Sequence, residues 1–501
     1  MNSSSHVAFV GTLLGSLLAT VPAAAQTAPH LPPPPPGASA ADTSSSPAAN
    51  FEAAIAAVIA RPGGLTADRV AARATRTSFD VRARHEELNA AAAAVDQALV
   101  QYIPRVTLSA RYARLSPIDP PTLGNLVVAA PGTPSGPIAA DTQLFNVPLT
   151  IPVPLNSTSV QASLTVPLSD YLLRLSQQHA AANHSRRAAE LNEQAARTRA
   201  GFDARVAWWN LVRARLGAVI ADQGVAQAHE HEADVRRLAD AGAASMADVV
   251  RVQSQVANAE LLALRAHDLA EVIEDQVRTA MHIDGGSIEI GDDVRIDPGV
   301  DGAEDFAALF DQAIANRPEI QALTETIGSL RQQATVARAV AFPRLDAFAD
   351  VLTANPNQRI FPQTDVFTTT WDVGVALSWS PNDIANGVLA ARQANARASG
   401  LEAQRGGIRD QLRAEVRGAF TAVREARGAI RTTAAGLAAA EESYRVRRVL
   451  FHNGRATSVE LTDAETDLTR ARLESLNARI DLRTALARLD HATGRDAQRV
   501  R

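Results

Sequence analysis

The chain carries one long pattern twice, and this tandem duplication limits its possible folds more than any other feature. Residues 102–106 (YIPRV) return as residues 341–345 (AFPRL), and residues 238–245 (LADAGAAS) return as residues 450–457 (LFHNGRAT). Each copy reads as a helix, a strand that follows a proline, a loop, a second strand and a very long helix that folds back. A repeat of this length is too long for a solenoid unit and indicates two copies of one supersecondary block.

The composition excludes several classes of function. The 501-residue chain has no cysteine, which excludes thiol nucleophiles, disulfides, Cys-ligated zinc and an acylated N-terminal cysteine. Aromatic residues make up only 4 %, which is typical of long packed helices rather than of one thick globular core. The net charge of −5 and the lack of a basic face argue against nucleic-acid binding.

The first residues read as an export signal. Residues 7–21 are largely apolar and run into the small residues of Pro22–Gln26, so we expect a signal peptide over 1–25 with cleavage after Ala25. The segment before the apolar run has no Lys or Arg, and an uncleaved anchor is the alternative. Residues 26–50, with prolines from 32 to 36, predict a disordered linker. No later segment has the roughly 18 consecutive apolar residues of a membrane helix.

Four segments alternate in polarity and predict strands, at about 105–113, 158–167, 344–352 and 370–380. The last segment is the most informative, because its apolar face has a tryptophan at each end. Lipid-facing membrane strands carry aromatic residues at both interfaces in the same way. That face consists of Trp371, Val373, Val375, Leu377 and Trp379. The other face is small or polar, which suits a lumen. An ordinary sandwich strand is the alternative interpretation.

Two proline-free stretches follow the strand pairs, at Asp170–Gly242 and Asp383–Gly454. About 70 residues of helix make a rod of about 100 Å, so these helices must project and pack as coiled coils. Each rod turns at its glycine, and a returning helix begins three residues later.

Both turns carry a capping-box sequence, in which a hydroxyl and a carboxylate satisfy the first backbone amides of a helix. These pairs are Ser245 with Asp248 and Thr457 with Glu460.

Four strands cannot close a barrel, and a bilayer tolerates no open sheet edge. Closure must therefore be intermolecular, and three chains would supply twelve strands.

Residues 316–320 (NRPEI), the segment 342–345 (FPRL) and the two Gly-x-x-Ser/Thr-x-x-Asp/Glu turns carry a family resemblance. In these motifs and their order the sequence resembles the TolC-like outer-membrane efflux factor family, the outer-membrane component of tripartite efflux or type I secretion systems. The resemblance implies a mainly α fold with a small β part, in which duplicated coiled-coil hairpins and four membrane strands per chain close as a trimeric twelve-stranded barrel over a periplasmic helical tunnel. It further implies a homotrimer in outer-membrane lipid that docks a periplasmic adaptor protein and an inner-membrane transporter.

The resemblance also assigns residues to the periplasmic mouth. Glu460 and Asp463 match the acidic gate of the family, and six such carboxylates from three chains would attract cations. The alternative is that Glu460 is only a helix cap and Asp463 is only solvated.

A latch between the two tips, with adaptor docking, is assigned to Gly242, Ser245, Asp248, Gly454, Arg455 and Thr457. The family's latch aromatic falls on Phe451, which lacks a hydroxyl, and its basic residue falls on Ala456. Arg455 or Arg251 is a candidate substitute, and the alternative is that both are ordinary surface arginines.

Two further pairs of residues are candidates, one for a metal site and one for a ligand site. His229 and His231 face different sides of a helix and are expected on a solvated face rather than around a metal. Trp208, which aligns with Phe420 in the second copy, and Trp209 are expected to pack between helices. No nucleophile elbow, P-loop, dinucleotide fingerprint or His-Glu-x-x-His motif is present, so neither an enzyme nor a cofactor is predicted.

The predicted organisation is a signal peptide (1–25), a linker (26–50), a first repeat (51–284), a connector (285–302), a second repeat (303–495) and a tail (496–501). The predicted function is a passive exit duct in the cell outer membrane, extending into the periplasm. A soluble periplasmic coiled-coil adaptor or scaffold protein is the alternative.

Overall fold

The computed structural model describes residues 47–118, 122–129, 131–132, 135–150, 153–299, 305–361 and 363–499. The predicted signal peptide and residues 26–46 of the predicted linker lie outside these ranges. The first helix begins at Pro47, inside the predicted linker.

The first repeat is built around one very long helix. Its elements are α1 (Pro47–Val58), α2 (Ala67–Thr77), α3 (Phe79–Val100), β1 (Arg105–Arg114), β2 (Thr122–Ala129), β3 (Leu144–Thr150), β4 (Asn156–Val166), α4 (Leu168–Asp170), α5 (Ser176–Asp240) and α6 (Met246–Met281). A π-helical turn, Tyr171–Leu175, joins α4 to α5, so the helical path from the strands to the tip is continuous.

The second repeat follows the same plan. Its elements are α7 (Phe306–Asn316), α8 (Pro318–Arg338), β5 (Arg344–Asn355), β6 (Thr368–Ser378), α9 (Pro381–His452), α10 (Ser458–Ala492) and α11 (Arg495–Arg499). The 65 residues of α5 and the 72 of α9 each span about 100 Å, as the proline-free stretches predict. The predicted C-terminal tail begins as α11, where Asp496 lies 2.7 Å from Nδ1 of His491.

The four predicted strands form one antiparallel sheet in the order β1-β4-β5-β6. One row across the sheet aligns Leu108, Ala162, Val351 and Trp371, so residues of the same polarity share a face in all four strands. β1 and β6 are the two edges. The sheet therefore joins the two repeats through the pairing of β4 with β5.

The long loop of the first repeat contains a second, two-stranded sheet that the sequence analysis missed. β2 pairs with β3 between β1 and β4, where only a loop was expected. Leu126, Val127 and Val128 are consecutive apolar residues, so the alternation that identifies a half-buried strand is absent.

The helices pack side by side in one layer with α5 in its interior. Near the strands, α3 packs on α5, α5 on α8, and α8 on α9; towards the tips, the order is α6, α5, α10 and α9. The layer thus begins with α3 and α6 and ends with α9. None of the helices in the described ranges has an apolar stretch long enough to cross a membrane.

The predicted connector 285–302 is partly a packed element rather than a free linker. Ile288, Ile290 and Val294 are buried in the same core as Trp208, and Ile290 forms a parallel bridge with Leu65. Trp208 is fully buried, which confirms the predicted packing role.

Candidate functional site

Both hairpin tips are built by local hydrogen bonds, as their sequences predict. Gly242 and Gly454 have φ angles of 75° and 67°, the left-handed region that favours glycine at a helix end. A complete capping box precedes each returning helix. Ser245 is the N-cap residue of α6, and Thr457 is the N-cap residue of α10. The tip geometry is therefore fixed within each hairpin.

An acidic stripe runs up α10 from its tip. Glu460 is exposed and accepts hydrogen bonds from the amide (2.8 Å) and hydroxyl (3.0 Å) of Thr457. Those bonds, chiefly the one from the amide, lower the pKa of Glu460. Its carboxylate therefore stays charged at pH values at which an ordinary glutamate is already protonated. Asp463 lies nearly one turn further and is also exposed, with no ion pair in the described part of the chain.

Asp467 extends the stripe by another turn and is a site candidate that the sequence analysis missed. It is exposed and lies 3.1 Å from Arg470 on the same helix. The spacing of 460, 463 and 467 repeats every three to four residues and could have identified it.

The residues assigned to the latch make no bond between the two hairpins within the described ranges. Asp248 bonds to Ser245, whose hydroxyl is the main cause of its lowered pKa. Arg455 is exposed without an ion pair, and Arg251 lines a groove that separates α6 from α10. The latch assignment remains a prediction.

Polar contacts between the hairpins occur instead around His231, where the sequence-based interpretation was wrong. His231 is buried at 2 % exposure rather than solvated, and its Nδ1 lies 3.2 Å from Oε2 of Glu465. Its ring meets the ring of Phe451 edge-on at 5.3 Å. His229 is half exposed, as expected, and lies 3.3 Å from Glu260. No group of three or more His, Asp or Glu in the described residues is placed to hold a metal.

The four-stranded sheet exposes an apolar face that no other part of the described chain covers. Trp371 is 70 % exposed and Val375 65 %, with Val373, Leu377 and Trp379 comparably open. The same face continues over the other strands through Val106, Leu108, Tyr112, Val160, Leu164 and Val351, all exposed. In a water-soluble sheet such a face would be buried in a core.

The opposite face of the sheet is polar. Asp350 accepts hydrogen bonds from Gln161 and Ser163, and Asp372 pairs with Arg359 at 3.2 Å. Phe348 is an aromatic exception that lies against Gly374, where an added Cβ would come within 2.9 Å of its ring. The two faces thus differ as the lipid side and the water-filled side of a membrane sheet do.

The fold is similar to that of several solved outer-membrane channels. The structure superposes on the outer-membrane channel OprN with a TM-score of 0.65 at 18 % identity, covering 85 % of this chain and 89 % of that one. For the Campylobacter jejuni CmeC outer membrane channel the TM-score is 0.67 at 14 % identity, with 86 % and 88 % covered. For VceC from Vibrio cholerae it is 0.64 at 15 % identity, with 85 % and 96 % covered. No curated protein sequence matches this chain significantly.

The class of protein follows from these findings together. Residues 309–495, nearly the whole second repeat, match the family described as outer membrane efflux protein. The second repeat thus resembles this family by sequence, and both repeats share the fold of the outer-membrane channels named above.

Proposed function

We propose that three copies of this chain close a twelve-stranded barrel in the outer membrane and form the exit duct of a tripartite efflux or secretion system. The observation that carries the proposal is the single-layer sheet, apolar on one face and polar on the other. Strands of 10 to 12 residues would span the roughly 25 Å apolar band of an outer-membrane barrel at the usual tilt of about 40°. Substrates would pass through the duct passively, since the family consists of channels rather than enzymes.

Open edges support closure by copies of the same chain. β1 and β6 each lack a partner on one side in the described structure, and unpaired backbone groups in hydrocarbon cost several kcal/mol each. The helical layer also has two ends, with α3 and α6 at one and α9 at the other. Joining β1 of one copy to β6 of the next brings α9 beside α3 and α6 in the same step.

Charge on the two ends of the helical layer is complementary. α9 contains twelve arginines against seven carboxylates, whereas α3 and α6 together contain five arginines against ten carboxylates. A basic helix thus meets acidic helices at every interface of a closed ring, which favours this arrangement over one with like ends together.

The acidic stripe would then ring the axis at the periplasmic mouth. Glu460 and Asp463 from three chains give six carboxylates, a cation-attracting constriction of the kind found in other pores. The tips around Gly242 and Gly454 would receive a periplasmic adaptor protein, which connects the duct to an inner-membrane transporter.

Membrane extraction followed by native mass measurement tests the proposal. We expect the protein in the outer-membrane fraction, and a trimer after mild detergent extraction. Recovery in the soluble periplasm would favour the alternative, a soluble coiled-coil adaptor or scaffold, which would have no use for the uncovered apolar face. A monomer after gentle extraction would refute the closure argument.

A further inference from the structure

A buried polar bridge joins the two hairpins within about three turns of their tips. His231 of α5 lies 3.2 Å from Oε2 of Glu465 through Nδ1 and 3.1 Å from Oγ of Ser458 through Nε2. Both partners belong to α10, the helix that carries the acidic stripe. The side chains of His231 and Glu465 are 1 % and 7 % exposed, so water does not compete for the bond between them.

Two partly exposed ion pairs flank the bridge on the same stretch of α5. Glu230 lies 3.2 Å from Arg448, and Asp234 lies 3.5 Å from His452. Both basic partners belong to α9, so residues 230–234 bind both helices of the second hairpin. Pairs open to solvent contribute little, because water and salt screen them, so the buried bridge is the strongest of these polar contacts.

The bridge can hold its bonds in either protonation state of the imidazole. When His231 is neutral, Nδ1–H donates to Glu465 and Nε2 accepts from the Ser458 hydroxyl; when it is cationic, both nitrogens donate. The cationic form adds charge to the bond with Glu465, and charge-assisted hydrogen bonds are roughly twice as strong as neutral ones. Gaining a proton therefore tightens the bridge without leaving a donor or acceptor unpaired.

We propose that His231, Glu465 and Ser458 form a proton-sensitive clasp between the two hairpins, which holds the periplasmic mouth closed more firmly when His231 is protonated. This inference rests on the proposed duct, because the clasp regulates the opening of its mouth. For α10 to swing outward with the second hairpin, the bonds from Glu465 and Ser458 to α5 must break. Histidine ordinarily changes its charge between pH 5 and 8, so opening becomes easier across that range as the pH rises.

The other charged groups around the clasp change little over this range or act in the same direction. On α9, burial is the main cause that raises the pKa of Tyr444 to about 12, so Tyr444 stays neutral. His452, also on α9, strengthens its pair with Asp234 when protonated. From α6, the uncharged side chain of Gln253 donates a hydrogen bond of 3.3 Å to the carboxylate of Glu232 on α5.

Arg472 of α10 and the pair of Arg448 with Glu230 also act electrostatically on Tyr444. Arginine keeps its charge across this range. The lowered pKa of Glu460 keeps the gate charged as well.

Single-channel recording on the full assembled channel tests the clasp, with the periplasmic side taken from pH 5.5 to pH 8. We expect the open probability of the wild type to rise roughly fivefold or more over this range. His231→Gln keeps a donor and an acceptor but cannot gain a proton, so most of the pH response should be lost, with only the part due to His452 left, while the open conductance is unchanged. A pH response in His231→Gln equal to that of the wild type would overturn the clasp.

His229→Gln is the matched control, because His229 is two residues away, half exposed, and pairs within its own hairpin through Glu260. It should keep the full pH response. If His231→Gln does not assemble, Glu465→Gln removes the charge but keeps an acceptor, and it should flatten the response too; an undiminished response there overturns the clasp. A wild type that conducts at no pH refutes the duct, whereas one that conducts with no pH response refutes only the clasp.

Discussion

Nε1 of Trp208 donates a hydrogen bond of 2.7 Å to Oδ2 of Asp292, which attaches the segment between the repeats to the middle of α5. The same oxygen accepts from the amide of Ala67 at 2.8 Å. Burial nevertheless raises the pKa of Asp292 above its ordinary value, because both hydrogen bonds together do not offset the loss of water.

Replacing Asp292 with Asn should therefore stabilise the protein at neutral pH. The folded state binds the proton of this carboxyl more readily than the unfolded state, so stability is lost as the pH rises through the folded pKa. Asn keeps an acceptor for Trp208 and removes the buried charge. We expect a higher melting temperature than the wild type at pH 7 and no difference below about pH 4, measured by circular dichroism. A lower melting temperature at pH 7 would count against this account.

Arginine at Val375 should interfere with membrane insertion far more than arginine at Ala376. Val375 lies midway between Trp371 and Trp379 on the uncovered apolar face, and a charge there should cost about 2–4 kcal/mol. Ala376 lies on the polar face, opposite Asp346, and arginine should be tolerated there. Folding into lipid vesicles measures both, and equal losses would show that the two faces are wrongly assigned.

Neutralising the proposed gate should reduce the cation preference of the channel. In the double variant Glu460→Gln with Asp463→Asn, six charges disappear from the mouth of a trimer, and block by multivalent cations should be lost. Gln still completes the capping box, so the tip should fold. Reversal potentials and block in planar bilayers give the comparison.

Glu442→Gln is the control for that experiment, since it removes an exposed carboxylate that pairs with Arg445 on its own helix. It should leave selectivity unchanged. If the double variant and the control behave alike in correctly assembled trimers, Glu460 is only a helix cap.

Alanine at Gly374 should destabilise the sheet unless Phe348 is shortened at the same time. The added Cβ would come within 2.9 Å of the Phe348 ring, and such overpacking costs about 1–3 kcal/mol. Phe348→Ala opens that space, so the double variant should be more stable than the sum of the two single changes predicts. Urea unfolding from detergent measures all four proteins, and additive losses would exclude the contact.

Features set by neighbouring residues were predictable from sequence, and those set by distant ones were not. The capping box from Thr457 to Glu460 involves four consecutive residues, and the alternation from Trp371 to Trp379 needs only one strand. The burial of His231 depends on Glu465, 234 positions away, and no local pattern announces that contact. The hairpin of β2 and β3 was missed for a different reason, because its apolar residues are consecutive.

The pairing of β4 with β5 also determines the order in which the chain can fold. It brings together Gln161 and Asp350, which are 189 positions apart, whereas β1 meets β4 and β5 meets β6 within single repeats. Closing so long a loop costs chain entropy that local contacts avoid, and it slows folding. The two strand pairs should thus form first and separately, and the sheet is completed only after the second repeat has been synthesised. Until then the apolar strands need protection from aggregation on their way to the membrane.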